Sequence, residues 1–379
     1  MLLLDYGPVY LKFLFSSKLV GTLTTTENFL DILLTLQSKL GQLEFIDLKL
    51  TKTIGENTLY FFKVNKHKIN NFNESVELLL IREQIKLANI SEIYYCGKPQ
   101  GKDSELITLL FPDLNEIKQG KNTQLSVIGV DFLNKNFDKP FFCLPYQTIS
   151  DLVKIGKFNY DHTIDSKIYL EDSSIFPLLI ANIIEGVSIY KVESISDYSR
   201  VGGCSFGATT YWSLLQLTCG YTDPLEAVKD AIEGQNELID LSVKDIFGQG
   251  YDLFGLPPDL IASSFGKLKY LKDMSNVEKK DISRSLLTLM CVTLSQTIAF
   301  TAINENIRKV LVTGNPFECL EFMQMVMISI QYFSNKGVSA YFTDYSAYLN
   351  LLGQFRSREM LNSESKGDNE IEIIIKADN

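Results

Sequence analysis

Histidine and tryptophan are scarce in this chain of 379 residues, which contains two histidines and one tryptophan. The histidines, His67 and His162, lie far apart in polar stretches. A zinc site with ordinary ligand spacing needs more histidines or paired cysteines, and a Ser-His-Asp or Cys-His arrangement needs a histidine beside the nucleophile. We therefore expect neither histidine to be catalytic, and we exclude zinc-dependent and triad-type hydrolysis.

Paired cysteines and long apolar runs are also missing. The six cysteines are scattered without a CxxC pair, a pattern typical of reduced, buried thiols. Apolar stretches such as "FPLLIANIIEGVSIY" are interrupted before they reach the roughly 20 residues that cross a bilayer. The N-terminal stretch has no basic region and meets an acid at Asp5. The sequence therefore predicts a cytoplasmic globular protein without a membrane span.

Basic residues are outnumbered, with 36 Lys and Arg against 46 Asp and Glu and a net charge of −10. They are spread along the chain rather than clustered, so no nucleic-acid-binding surface is predicted. An anionic ligand would need locally arranged groups to bind here.

Strand-like and helix-like stretches alternate along the chain, which favours an α/β fold. The length suits two domains. The pattern becomes irregular between 137 and 169, so we predict an N-terminal domain over 1–165, a C-terminal domain over 166–360 and a charged, mobile tail over 361–379.

Two apolar hairpins suggest an internal repeat. The stretches "LLLDYGPVYLKFLF" and "LIANIIEGVSIYKV" share an apolar strand, then Asp5 or Asn182, a turn with Gly7 or Gly186, and an apolar return strand. Two hairpins alone are weak evidence for a repeat. They still favour a duplicated α/β unit with one turn from each half facing a common cleft.

A loop rich in Gly, Ser and Thr follows, in "YSRVGGCSFGATTYWSLLQLTCGY", and leads into a helix that Gly220 ends. Small residues before a helix N-terminus let backbone amides approach an anion, and Arg200 adds a guanidinium. Downstream we predict one long helix with Asp281 as its N-cap, then a buried strand ending at Gly314-Asn315. No Walker A pattern occurs, so phosphoryl transfer by positioning and electrostatics is the chemistry that these residues support.

These motifs resemble the eukaryotic-type (type II) pantothenate kinases. That family has RV-x-G-T-S-x-G-G-G-T-F, then D-I-Y-G-G-D-Y-x-x-F-G-L, then A-S-S-F-G. This chain reads "RVGGCSFGATTY" from Arg200, "DIFGQGYDLFGL" from Asp245 and "IASSFG" from Ile261. The similarity is strong over roughly residues 176 to 355 and thin before them.

The resemblance implies two ribonuclease-H-like domains of the acetate and sugar kinase, actin-like superfamily around a central cleft. It also implies a dimer through the long helix that phosphorylates pantothenate with ATP and Mg²⁺, the first step of coenzyme A synthesis, under inhibition by acyl-CoA. The implied substrate-binding residues are Ser188, Arg200, Tyr251, Ile261 and Ala262. The implied phosphate and ATP contacts, with Asp5 also serving Mg²⁺, are Asp5, Gly7, Lys12, Gly186, Gly203, Ser205, Gly207, Thr210, Gly314 and Asn315.

Several phosphate-side positions depart from the family pattern. The first turn, D-x-G-G-T-x-x-K in the family, has Pro8 and Val9 in place of the second glycine and the threonine. Proline removes an amide donor and valine removes a hydroxyl. In the second turn, Glu185 replaces a serine, and in the loop Gly-Gly-Gly-Thr has become Gly207 to Thr210.

The catalytic base is displaced as well. The family's glutamate follows a T-G-G-G turn, and ungapped counting places Ser104 there, flanked by the candidate bases Asp103 and Glu105. Three readings follow from the resemblance: an active homodimeric kinase with an atypical ATP site, an impaired subunit that pairs with an intact homologue, or a non-catalytic sensor of acyl-CoA or pantothenate. The combined changes favour the impaired subunit.

Overall fold

Strands and helices alternate in the computed structural model, which describes residues 2–6, 10–16, 46–54, 57–65, 93–96, 118–120, 122–144, 167–170, 175–314 and 320–364. The chain divides into two compact units, one of residues 1–138 with 347–379 and the other of 139–346. The last helix therefore belongs with the first unit. The domain bounds stated above, which were drawn from composition, stay a prediction.

The strands of the described residues are β1 (Leu2–Tyr6), β2 (Tyr10–Ser16), β3 (Ile46–Ile54), β4 (Asn57–Asn65), β5 (Ile93–Cys96), β6 (Lys118–Gly120), β7 (Phe142–Cys143), β8 (Ile168–Tyr169), β9 (Leu178–Ile183), β10 (Val187–Val192), β11 (Tyr198–Cys204), β12 (Leu241–Ser242), β13 (Ile261–Ser263), β14 (Lys309–Thr313) and β15 (Ser339–Tyr341). Their α-helices are α1 (Asn122–Asn136), α2 (Ala208–Cys219), α3 (Pro224–Glu233), α4 (Val243–Phe247), α5 (Lys279–Asn304), α6 (Leu320–Phe333) and α7 (Leu349–Glu364).

The sheet of the first unit has the order β3-β4-β2-β1-β5-β6. Its first two strands form the predicted hairpin, antiparallel with Asp5 opposite Lys12, while β1 runs parallel to β5. Helices α1 and α7 pack closely in this unit at two glycines. A Cβ added at Gly129 would lie 2.9 Å from the carbonyl carbon of Leu349. A Cβ added at Gly353 would lie 2.7 Å from the carbonyl carbon of Leu125. This close approach admits only glycine at the crossing.

The sheet of the second unit has the order β11-β10-β9-β14-β15. Here too the first strand, β9, pairs antiparallel with its hairpin partner β10 and parallel with a later strand, β14. Both units thus contain a mixed sheet with the first hairpin strand beside a parallel neighbour. The fold is α/β, as predicted.

Helix α5 runs through the core of the second unit. Within the described part of the chain it is the one helix long and apolar enough to cross a membrane by length and composition, and 56% of its most apolar window is buried. The prediction that Asp281 is its N-cap is wrong by three residues. Glu278 is the N-cap and Asp281 is the third helical residue, where its carboxylate accepts from the N–H of Glu278 to complete a capping box.

A segment that we call the insert lobe, residues 236–274, contains the two-stranded β12–β13 sheet and α4. Six of its large apolar side chains are between 49% and 79% exposed: Ile246, Phe247, Leu253, Phe254, Tyr270 and Met274. Contiguous exposed apolar side chains of this kind often mark an interaction surface.

Candidate functional site

The glycine-rich loop packs against the turn of the second hairpin. Ala208, the first residue of α2, donates its N–H to the carbonyl oxygen of Ile184 at 3.2 Å. A Cβ added at Gly207 would lie 2.6 Å from Gly186 Cα and 2.8 Å from the carbonyl carbon of Glu185. Gly207 therefore permits the contact between this turn and the start of the helix.

The N-terminus of α2 offers backbone donors. Its N-cap, Gly207, has no side chain that could cap the helix, and no described residue accepts from the N–H of Thr209 or Thr210. The Thr210 hydroxyl donates to the carbonyl oxygen of Ser205 at 3.3 Å, which holds the loop against the first turn. Unpaired amides at the positive end of a helix form an anion-binding site. Ser205, Gly207 and Thr210 lie together at this helix start, and their contact with phosphate stays a prediction.

An acidic residue, Glu185, lies on the turn that packs against this cradle. Glu185 is exposed on the turn whose backbone contacts Gly207. Among the described residues it forms no ion pair. The negative charge of Glu185, which no described cation neutralises, opposes the binding of an anion at the start of α2.

A second turn lies at the same edge of the sheet. Strands β9 and β14 are parallel with Asn182 opposite Thr313, and the Thr313 hydroxyl donates to Asn182 Oδ1 at 3.3 Å. Gly314 follows in the left-handed conformation, with φ of +72°, and donates its N–H to the Ser346 hydroxyl at 2.8 Å. A Cβ at Gly314 would lie 2.7 Å from Asn182 Oδ1, so both the backbone angle and the space require glycine. Sequence reasoning missed Ser346, which no motif marks.

Ser188 and Arg200 lie on neighbouring strands, β10 and β11. Ser188 is opposite Gly203 in the register, and a Cβ added at Gly203 would lie 2.5 Å from Arg200 Nη2. The guanidinium therefore lies against Gly203, and Gly203 makes room for it. Arg200 is exposed and has no ion-pair partner within the described part of the chain, so it is available to an anionic group.

Tyr251, Ile261 and Ala262 are all in the insert lobe. The Tyr251 ring stacks on Phe247 with centroids 4.5 Å apart, and it contacts Phe254 at 5.0 Å. Ile261 is half-buried and Ala262 is exposed on β13. Within the described part of the chain, no hydrogen bond or ring contact joins these three residues to Ser188 or Arg200.

The Asp245 carboxylate caps the start of α4 in the insert lobe. The Asp245 carboxylate accepts from both the N–H and the hydroxyl of Ser242 and forms an ion pair with Lys267 at 2.7 Å. Burial raises the pKa of Asp245, but the bonds from Lys267 and Ser242 outweigh it and lower the pKa to about 2. The carboxylate is therefore charged at neutral pH and fixes the start of α4.

Part of the predicted phosphate site lies outside the described residues: Gly7, Asp103, Ser104, Glu105 and Asn315. Asp5 and Lys12 are described only as paired backbone positions of β1 and β2. Within the described ranges no group of three His, Cys, Asp or Glu side chains could hold a metal ion. The Mg²⁺ contact of Asp5 and the identity of the base stay predictions.

Comparison with known proteins gives one family match over most of the chain. The family model described as Fumble matches residues 4–357. The pantothenate kinase of Schizosaccharomyces pombe is 35% identical over 184 residues, which are 48% of this chain and 46% of that protein. Pantothenate kinase 1 of Arabidopsis thaliana is 29% identical over 202 residues, 52% of each chain. The matches thus span about half the length of these two relatives.

A solved structure, the activator of the 2-hydroxyisocaproyl-CoA dehydratase from Clostridium difficile with bound ADPNP, covers 98% of this chain at 11% identity and a TM-score of 0.44. A TM-score below 0.5 does not establish a common fold.

Proposed function

Because the chain belongs to the Fumble family, we propose that it takes part in the ATP-dependent phosphorylation of pantothenate, the first step of coenzyme A synthesis. We further propose that it does so as a subunit with an impaired phosphate site that pairs with an intact homologue. ATP with Mg²⁺ is the phosphate donor in this proposal, and acyl-CoA is the inhibitor.

The repeated sheet plan supports the proposed architecture. In the main sheet of each unit, the first hairpin strand, β1 or β9, lies between its antiparallel hairpin partner and a parallel strand. This plan suits two ribonuclease-H-like domains of the actin-like superfamily. It also supports the internal repeat inferred from the two hairpins, since each hairpin occupies the same position in its sheet.

The observation that carries the proposed impairment is the position of Glu185. Its turn contacts Gly207 at the N-terminus of α2, where the free amides of Thr209 and Thr210 would receive phosphate oxygens. No described cation neutralises the carboxylate. Repulsion between two like charges about 4 Å apart is worth roughly 1 kcal/mol in water and several times more at a protein surface. The family's serine at this position would contribute a hydroxyl donor instead.

The opposite side of the site retains its chemistry. The exposed guanidinium of Arg200 beside Ser188 suits the carboxylate of pantothenate. The apolar side chains of the insert lobe, exposed next to Tyr251, suit burial against a second subunit. A subunit that contributes this surface to a partner while binding ATP poorly is consistent with both observations.

Calorimetric titration of the purified chain with MgATP, together with an assay of phosphopantothenate formation, tests the proposal. Glu185→Ser should raise ATP affinity by roughly tenfold or more, because it removes the opposing charge. Glu233→Ser is the matched control, since Glu233 is an exposed acid at the end of α3. Equal effects of the two substitutions would contradict the role of Glu185.

Purification from the source cell tests the pairing. Recovery of a pantothenate kinase homologue with this chain would support it, and recovery of this chain alone would contradict it. Binding of acyl-CoA by a form that shows no turnover with any partner would favour the sensor instead.

A further inference from the structure

Asp240 is a buried carboxylate that no sequence motif identified. It is 3% exposed and accepts hydrogen bonds from three parts of the second unit. Its Oδ1 accepts from the N–H of Phe265 at 2.9 Å and from the hydroxyl of Ser285 on α5. Its Oδ2 accepts from the side-chain amide of Asn236 at 2.6 Å. One side chain thus joins the start of the insert lobe, its far end and the core helix.

The bond to Phe265 holds an unfavourable backbone conformation. Phe265 has a φ of +59°, in the left-handed region that a residue with a side chain adopts only at a cost of about 1 kcal/mol or more. Such a residue persists where its surroundings fix it. Here the Asp240 carboxylate receives the Phe265 N–H directly, so the carboxylate stabilises this conformation.

The neighbouring residues complete the turn. Gly266 donates its N–H to the carbonyl oxygen of Ser263 at 3.1 Å. Lys267 donates its N–H to the carbonyl oxygen of Ile239 at 3.0 Å. A Cβ at Gly266 would lie 2.8 Å from the Cβ of Leu241 and 2.9 Å from that of Ser263. The turn is therefore pressed against Ile239 and Leu241, the two neighbours of Asp240 in the chain.

This turn follows β13, the strand that carries Ile261 and Ala262. We propose that Asp240 is a positioning residue that fixes the 261–266 segment, and through it the wall that Ile261 and Ala262 present to pantothenate. The inference rests on the proposed function for the identity of the ligand. It does not depend on whether this chain transfers phosphate.

The chemistry of the three donors explains why the residue is an aspartate. An N–H, a hydroxyl and an amide NH₂ all point at its two oxygens, and an ionised carboxylate only accepts. Asparagine has the same shape but would direct its own NH₂ at one of these donors. Asp240→Asn should therefore release one of the three attachments while preserving the packing.

Two serines of α5 provide a matched pair for the test. Ser285 and Ser283 are both fully buried. Ser285 donates to Asp240, whereas Ser283 donates to the carbonyl oxygen of Ala227 at 2.7 Å and contacts the Tyr211 hydroxyl at 2.9 Å. Ser285→Ala and Ser283→Ala remove the same hydroxyl from the same helix, but only the first touches Asp240.

The experiment measures pantothenate affinity by calorimetry and the amide exchange rate of Phe265 for the full chain, with the partner it purifies with. Asp240→Asn and Ser285→Ala should each weaken pantothenate binding by about tenfold, the value of one strong hydrogen bond, and speed the exchange of Phe265. Ser283→Ala should lower the melting temperature and leave both readouts near the wild-type values.

Equal losses of pantothenate affinity in the two serine variants would overturn the positioning role, since general destabilisation would then explain both. Unchanged exchange at Phe265 in Asp240→Asn would overturn it as well. A wild-type protein that binds no pantothenate would instead refute the proposed function and the ligand in this inference. In that case the exchange of Phe265 would still decide whether Asp240 fixes the segment.

Discussion

Gly207→Ala tests the contact between the hairpin turn and the start of α2. The new Cβ would lie 2.6 Å from Gly186 Cα and 2.8 Å from the Glu185 carbonyl carbon, and closer still to the Glu185 carbonyl oxygen. All three are backbone atoms, so no side-chain rotation relieves the clash and the turn must move. Overpacking of this kind costs about 1–3 kcal/mol.

Part of this cost is offset, because alanine restricts the unfolded chain by about 0.4–1 kcal/mol relative to glycine. The backbone itself is compatible with alanine, since Gly207 has a φ of −127°. A net loss of roughly 1–2 kcal/mol should lower the melting temperature by about 2–8 °C. The displaced turn should also free the Ala208 N–H, which bonds to Ile184 in the wild type, so its amide exchange should accelerate.

Gly220→Ala is the matched control. Gly220 ends α2 with a φ of +70° and has nothing within 4 Å of an added Cβ. Alanine there costs about 1–2 kcal/mol through the left-handed backbone alone. Gly220→Ala should therefore lose about as much stability as Gly207→Ala while leaving the amide exchange rate of Ala208 unchanged. A Gly207→Ala variant with the melting temperature of the wild type and the wild-type amide exchange rate at Ala208 would refute the predicted clash.

Three further changes have defined outcomes. Gly203→Ala should displace the Arg200 guanidinium and weaken pantothenate binding, measured by calorimetry, and it should also lower the melting temperature, because the new Cβ meets the backbone carbonyl oxygen of Val187. The pKa of Asp245 falls from 3.8 to about 2 on folding, so its carboxylate contributes stability above pH 3.8 that is lost as the pH falls through about 2. When the free energy of unfolding is measured in urea at a series of acidic pH values, Asp245→Asn should remove this contribution. Burial, followed by the bond to Asp230, raises the pKa of Tyr221 above its ordinary value of 10, so its contribution is lost only as the pH rises above 10, and Tyr221→Phe should flatten the alkaline decline in stability.

Local sequence patterns predicted the hairpins and a helix end, which depend on residues close together in the chain. The hairpins β1–β2 and β9–β10 follow from apolar runs around a short turn, and the end of α2 follows from Gly220 in the left-handed conformation. The boundary of α5 was misplaced because aspartate is favoured both at the N-cap and within the first turn. Only the hydrogen bond to the N–H of Glu278 distinguishes the two positions.

Contacts between distant residues could not be read from the sequence. Helix α1 was not predicted, and it packs on α7, more than 200 residues away, with Ser126 donating to Asn350 Oδ1 at 2.6 Å. Ser346 and Asp240 were missed for the same reason, since their partners, Gly314 and Phe265, are 32 and 25 residues distant. Resemblance to a family identified Ser188 and Arg200, whereas the three-dimensional structure was needed to place both around Gly203.

Phosphopantothenate formation by the purified chain, alone and after addition of the homologue it purifies with, decides whether this chain is an impaired subunit. Because Glu185 lies on the turn that contacts the start of α2 and has no described cation partner, we expect turnover near background for the chain alone and clear turnover for the pair. Substituting Arg200 in this chain should then lower the activity of the pair in proportion to the sites that this chain supplies. Full turnover by the chain alone would contradict the account.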